Sequence, residues 1–162
     1  MELDIFEAVK NNDPAEIQIC IDNGVDVNVI DEEGDTPLHI ATKYGYMDIC
    51  KLLLDNEADV NVKNEWERTP LHIAAYYGWV EICELLLDNG ADVNITNRWE
   101  STPLHIAVEY GYVAICRLLL KKKADVNATN KFGDTPRRKA ERYGNVEIYK
   151  MLSQQNNIVK KE

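Results

Sequence analysis

Apolar positions along this chain fall into pairs of short helical patterns, and the pairs themselves recur. In residues 64–96, Leu71, Ile73, Ala74 and Ala75 form a small apolar face. After a break, Val80, Ile82, Cys83, Leu85, Leu86 and Leu87 form a larger one at helical spacing, with Glu81 and Glu84 on the polar side. Thr69 followed by Pro70 predicts the first helix start, because a threonine oxygen caps a free N–H and proline at the first helical position has no N–H to lose. Gly78 predicts a left-handed stop, Gly90 ends the second helix, and Asn64 to Arg68 form a polar turn ahead of both. Such a unit cannot bury its apolar face alone, and stacking copies of it can.

The copies are present. Thr36-Pro37-Leu38-His39 returns as Thr69-Pro70-Leu71-His72 and Thr102-Pro103-Leu104-His105, then in altered form as Thr135-Pro136-Arg137-Arg138, each time after 33 residues. A fixed period of that size predicts a solenoid, which offers a long shaped surface and usually no closed pocket. The order of turn, Thr-Pro-Leu-His helix, glycine, second apolar helix and Gly-Ala-Asp-Val-Asn resembles the ankyrin repeat over about residues 3–152. The resemblance implies an all-α ankyrin repeat solenoid of stacked antiparallel helix pairs joined by hairpin loops. It divides the chain into one domain, 1–152, with an N-terminal cap (1–30), full repeats (31–63, 64–96 and 97–129) and a C-terminal cap (130–152), leaving 153–162 as a polar tail.

Several residues depart from the pattern. Glu57 and Lys123 stand where the second helix ends in glycine, and Glu67 and Glu100 where the turn has glycine. If those positions keep a positive φ, each non-glycine residue costs on the order of 1 kcal/mol. Arg137, Arg138 and Lys139 replace Leu-His-Ile of the inner helix, which reads as a polar cap closing the stack or, alternatively, as a basic contact site.

Composition narrows the class. The chain has 162 residues, 45% hydrophobic and 28% charged, as in an ordinary globular domain. No apolar run reaches the roughly 18 residues of a transmembrane helix, and Met1-Glu2-Leu3-Asp4 lacks the basic-then-apolar layout of a signal peptide. A soluble, cytoplasmic monomer is expected, with no membrane partner. The net charge of −10 is uneven: residues 1–96 carry 21 acids and 5 bases, residues 97–162 carry 7 and 13. In a linear stack the first end is then acidic and the last basic. The expected partner is a protein, with a basic patch as one possibility, steered over a screening length of only about 8 Å. Nucleic acid is not expected, because the −16 of the first 96 residues repels phosphates.

Candidate chemistry is thin. His39, His72 and His105 are translated copies on helices roughly 8–10 Å apart, too far to converge on a zinc ion that holds nitrogens at about 2.0–2.1 Å. The same translation separates Cys50, Cys83 and Cys116 beyond disulfide reach, and Cys20 sits at another phase. Asp59-Val60-Asn61 and Asp92-Val93-Asn94 lack the glycine and glutamate of a calcium loop, so their asparagines are expected to satisfy loop backbone. The phosphate-loop, dinucleotide, nucleophile-elbow and zinc-protease motifs are absent, so neither cofactor, metal nor catalytic set is expected.

The resemblance implies binding through the hairpin tips and the inner helices of the concave face. Carried over position by position, the partner-binding candidates are Asp35, Trp66, Arg68, Trp99, Ser101 and Phe132 on the tips and Lys43, Tyr76, Tyr77, Glu109 and Tyr110 on the inner helices. Trp66, Trp99 and Phe132 read equally as binding anchors and as an aromatic ladder bridging repeats. Tyr44, Tyr77, Tyr110 and Tyr143 recur in register and lean toward structure, whereas Tyr76 does not recur. The expected function is a non-catalytic protein-binding module; the alternatives are an engineered or selected binder, or the targeting domain of a larger enzyme or channel.

Overall fold

A computed structural model describes residues 4–159, and among these there are ten helices and no strand. They run as five pairs: α1 (Ile5–Lys10) with α2 (Pro14–Asp22), α3 (Pro37–Tyr44) with α4 (Met47–Asp55), α5 (Pro70–Tyr77) with α6 (Val80–Asp88), α7 (Pro103–Glu109) with α8 (Val113–Lys121), and α9 (Pro136–Arg142) with α10 (Val146–Val159). The odd-numbered helices stack in one row and the even-numbered in a second, and the first row packs more closely than the second. Side-chain size explains the difference. The inner row meets through buried Ala8, Ala41, Ala74, Ala107 and Ala140, while the outer row is spaced by Leu53, Leu86, Leu119 and Leu152. Helix α10 continues past Leu152 into the segment expected as a polar tail, whose last residues, 160–162, lie outside the described residues.

Each helix starts where its cap allows. Asp4 and Asp13 accept backbone N–H bonds at the starts of α1 and α2, and Thr36 and Thr102 do so at the starts of α3 and α7. At the three full repeats the third helical residue is histidine, and its ring completes a reciprocal cap. The Thr36 N–H donates to His39 Nδ1 at 3.1 Å, and the Thr69 and Thr102 N–H groups donate likewise to His72 and His105 at 3.1 and 3.2 Å. An Nδ1 that accepts must carry no proton, so the proton sits on Nε2. That Nε2–H donates to the next repeat: His39 to the Arg68 carbonyl at 2.9 Å, His72 to Ser101 at 3.1 Å, His105 to Asp134 at 2.9 Å. Every ring nitrogen is engaged, and a metal would find no free lone pair.

Two further bridges run parallel to this one. Asn28, Asn61 and Asn94 accept from the N–H of Asp59, Asp92 and Asp125 in the following repeat at 2.8, 2.9 and 2.7 Å. At the tips a backbone ladder forms: Glu65 N–H donates to the Glu33 carbonyl, Arg98 to Trp66 and Lys131 to Trp99, at 3.0–3.2 Å. The cysteines are free buried thiols, with burial pushing Cys50 up to about 11 and Cys83 and Cys116 up to about 12. They act as small hydrophobes.

The four glycine replacements do occupy left-handed backbone, with φ of 67° at Glu57, 54° at Glu67, 55° at Glu100 and 67° at Lys123. Gly24, Gly90, Gly34 and Gly133 adopt the same region at the equivalent positions. Glu100→Gly and Lys123→Gly should therefore each raise the unfolding free energy by roughly 0.5–1 kcal/mol, the strain relieved exceeding the entropy lost. Urea titrations check this, and a lower midpoint in either variant contradicts it.

A pH dependence follows from the buried rings. Burial holds His72 down at about 4 and holds His39 and His105 below the usual imidazole range. The unfolded chain therefore takes up protons first, near pH 6.5. The stability these rings contribute is complete above that value and is lost as pH falls toward 4. His72 alone should cost about 2 kcal/mol by pH 5. The chain has 3 histidines and all are buried, so urea midpoints should decline from pH 7 to pH 5. A flat profile over that range contradicts the assignment.

Candidate functional site

Inner helices and tips together frame one concave groove of about 420 Å³, half open to solvent. Its position follows from the stacking. Residues at the end of each tip and on the exposed side of the following inner helix recur at one phase, and the solenoid lines them up. All of the candidate positions, Asp35, Lys43, Trp66, Arg68, Tyr76, Tyr77, Trp99, Ser101, Glu109, Tyr110 and Phe132, line this groove.

They do not line it equally. Trp66 is 44% exposed and Phe132 69%, so each presents apolar surface to solvent. Asp35 and Ser101, expected at exposed tips, are instead buried at 8% and 7%. The reason is the neighbouring repeat: Asn64 Nδ2 donates to Asp35 Oδ1 at 2.7 Å, and Asn130 Nδ2 donates to Ser101 Oγ at 3.4 Å. These two side chains form part of the groove floor and hold it together.

The tip tryptophans make no ring-on-ring ladder. Each pairs with an arginine from an adjacent tip: Arg98 lies 4.9 Å from the centroid of Trp66, and Arg68 lies 5.3 Å from that of Trp99. Arg68 also stands 5.9 Å from the Tyr76 ring. Tyr76 in turn meets Tyr77 edge-on at 5.0 Å and Tyr110 at 4.9 Å, giving the inner-helix wall a continuous aromatic patch. Burial, together with the Tyr76 hydroxyl, pushes the Tyr110 phenol up to about 12, so it stays protonated and able to donate. Trp79 is a packing residue. Its ring lies over Gly45, where an added Cβ would come within 2.8 Å of it.

The last repeat closes the groove with charge. Lys139 stands at the position of Ile40, Ile73 and Ile106, is 7% exposed, and pairs with Glu109 of the preceding repeat. The Tyr143 hydroxyl donates to the same carboxylate at 3.2 Å. Asp134 accepts both guanidinium nitrogens of Arg142, Nη2 at 2.8 Å. The buried basic residue of this cap is thus internally compensated, while Arg137 and Arg138 remain exposed. Asn64, Asn97, Ile73 and Ile106 also line the groove without having been singled out from the sequence, and so does Lys139, which the sequence offered as part of a polar cap or of a basic contact site. For the asparagines and isoleucines no variability marked them. For Lys139 the signal was there, a lysine at a repeated isoleucine position.

These features define a helical-repeat solenoid with a concave recognition surface. The family is equally plain: the chain belongs to the ankyrin repeat proteins. A family model for ankyrin repeats (3 copies) matches residues 5–97, and one for ankyrin repeats (many copies) matches residues 86–140. The ankyrin repeat protein FPV223 of Fowlpox virus (strain NVSL) is 41% identical over 51 residues, covering 32% of this chain and 36% of that protein. The chain therefore matches about a third of that relative's length. Ankyrin repeats generally mediate protein–protein interaction, and proteins built from them are typically non-catalytic. Among the described residues no helix is long and apolar enough to cross a membrane.

The Glu109–Lys139 pair has a measurable signature. Removing one partner of a buried pair leaves the other charge uncompensated, whereas an apolar replacement of the buried partner removes the problem. Glu109→Ala should lower stability by about 1–2 kcal/mol, discounted because Glu109 is itself a third exposed. Lys139→Ile, restoring the residue of the other repeats, should be neutral or stabilising. Urea midpoints of the two variants check the ordering, and the reverse order contradicts it.

Proposed function

We propose that this chain is a non-catalytic protein-binding module whose partner seats in the concave groove. The observation that carries the reading is convergence. Tip and inner-helix positions of successive repeats face a single groove, where Trp66, Tyr76, Tyr77, Tyr110 and Phe132 keep 39–69% of their surface exposed. Aromatic residues of this kind, rimmed by charge, are what binding hot spots are made of. Recognition is by a preformed surface, since the tips are joined by backbone hydrogen bonds and their tryptophans are held by arginines. A rigid paratope loses little entropy on binding.

The acidic excess of residues 1–96 acts at longer range. Of its acids only Glu33 and Asp35 reach the groove, so the remainder sets a field that favours a partner carrying a basic patch over its wider surface. The setting we infer is a soluble, cytoplasmic monomer.

The test compares the wild-type chain and a Trp66→Ala/Trp99→Ala variant as baits in parallel pull-downs read by quantitative mass spectrometry. Proteins retained by the wild type should fall by roughly 30-fold or more on the variant, while helical circular dichroism stays unchanged, because each exposed arginine–tryptophan contact contributes only about 0.5–1 kcal/mol to the fold. Equal recovery on both baits would falsify the groove as the site.

A further inference from the structure

Arg68 lines the groove. Its guanidinium carbon lies over the Trp99 and Tyr76 rings, 5.3 and 5.9 Å from their centroids, and among the described residues its side-chain N–H groups have neither a carboxylate within ion-pair distance nor a hydrogen-bond acceptor. Three other cations of these repeats are committed. Arg98 donates to the Glu65 carbonyl at 2.6 Å, Arg142 is bound by Asp134, and Lys139 by Glu109. A guanidinium held over aromatic rings still has N–H donors to offer, and their fork geometry matches a carboxylate. The two ring contacts also restrict the side chain in advance, so less rotamer entropy is lost on binding.

We infer that the groove takes an extended peptide segment of the partner whose Asp or Glu carboxylate is read by Arg68, with an apolar side chain about three residues away lying on the aromatic wall. The spacing follows from two lengths. The Arg68 guanidinium lies 5.9 Å from the Tyr76 ring and that ring lies 4.9 Å from Tyr110, so Arg68 and Tyr110 are at most about 11 Å apart, and an extended chain advances about 3.3 Å per residue. A carboxylate at Arg68 therefore puts a residue three positions on beside Tyr110, and further along the chain reaches Phe132. The protein's net −10 does not oppose this. Its field falls off over about 8 Å and selects the partner's overall charge, while the contact at Arg68 is made after water is displaced. This inference rests on the groove reading above and adds the chemistry of the occupant.

Panning a phage library of random linear peptides on the full chain tests it, followed by titration of a synthetic consensus peptide against wild type, Arg68→Gln and Trp99→Ala, each checked for an unchanged urea transition. The expected consensus carries Asp or Glu about three residues from an aromatic or aliphatic residue. Its affinity should fall by roughly 10- to 100-fold in Arg68→Gln, the range for a charge-assisted hydrogen-bonded pair, and also fall in Trp99→Ala. A neutral or basic consensus that loses affinity in Trp99→Ala but keeps it in Arg68→Gln overturns the carboxylate inference and leaves the groove standing. No consensus, or one indifferent to both substitutions, overturns the groove reading as well.

Discussion

One hydrogen bond, repeated at 29-residue separation, organises this molecule: the Nε2–H of a buried histidine donating to the carbonyl of the next repeat's tip. The imidazole has two jobs that lock each other. Its Nδ1 must be bare to accept the capping threonine N–H, which forces the proton onto Nε2, which must then find an acceptor. The acceptor it meets at hydrogen-bond distance is the tip carbonyl of the following repeat. A repeat is therefore polar-incomplete as well as apolar-incomplete, and stacking resolves both deficits together. The asparagine bridges and the tip ladder extend the same logic along the loops, so that tips far from the helical core still inherit a fixed spacing.

That rigidity is what gives the variable residues meaning. A tryptophan on a wandering loop would collapse onto the nearest apolar surface. Here the tip backbones are tied, and Arg98 and Arg68 cover one face each of Trp66 and Trp99. The inter-repeat ladder of rings does not form, and the bridge between repeats runs from arginine to ring instead. Trp66 still leaves 44% of its surface to solvent. Charge divides in a similar way, with most of the acids of the first repeats outside the groove and Arg68 lining it beside two aromatic rings.

Most of the fold was legible because its determinants are local or periodic. Thr-Pro marks helix starts, and a 33-residue register converts each local reading into a spatial one. Even the strained positions were readable: Glu57, Glu67, Glu100 and Lys123 stand at the phase of glycines and take their positive φ. What was not legible depends on neighbours one repeat away. Asp35 and Ser101 sit in tips and read as exposed, yet asparagines from the following repeat draw them into the interior. The pairing of each tryptophan with an arginine 31 or 32 residues distant was equally invisible to a period of 33. Helix α10 outran its expected end because neither glycine nor proline follows Leu152 to mark a stop.

The pair α9–α10 departs from the stacking rule in its inner helix. An isoleucine at position 139 would sit against the preceding repeat as Ile40, Ile73 and Ile106 sit in theirs, and a histidine at 138 would find no further tip carbonyl among the described residues to receive its proton. Arginine at 138 removes that unsatisfied donor to solvent, where the side chain is exposed. Lysine at 139 buries its stem and directs its ammonium backward, onto Glu109. Both changes point polar groups to where partners already exist, water on one side and the previous repeat on the other. The histidine bond that elsewhere runs forward along the stack is here replaced by an ion pair that runs backward. That is why Glu109, an inner-helix residue of the groove, is committed to Lys139. The cations of the groove that have no carboxylate partner among the described residues, Lys43 and Arg68, lie in earlier repeats.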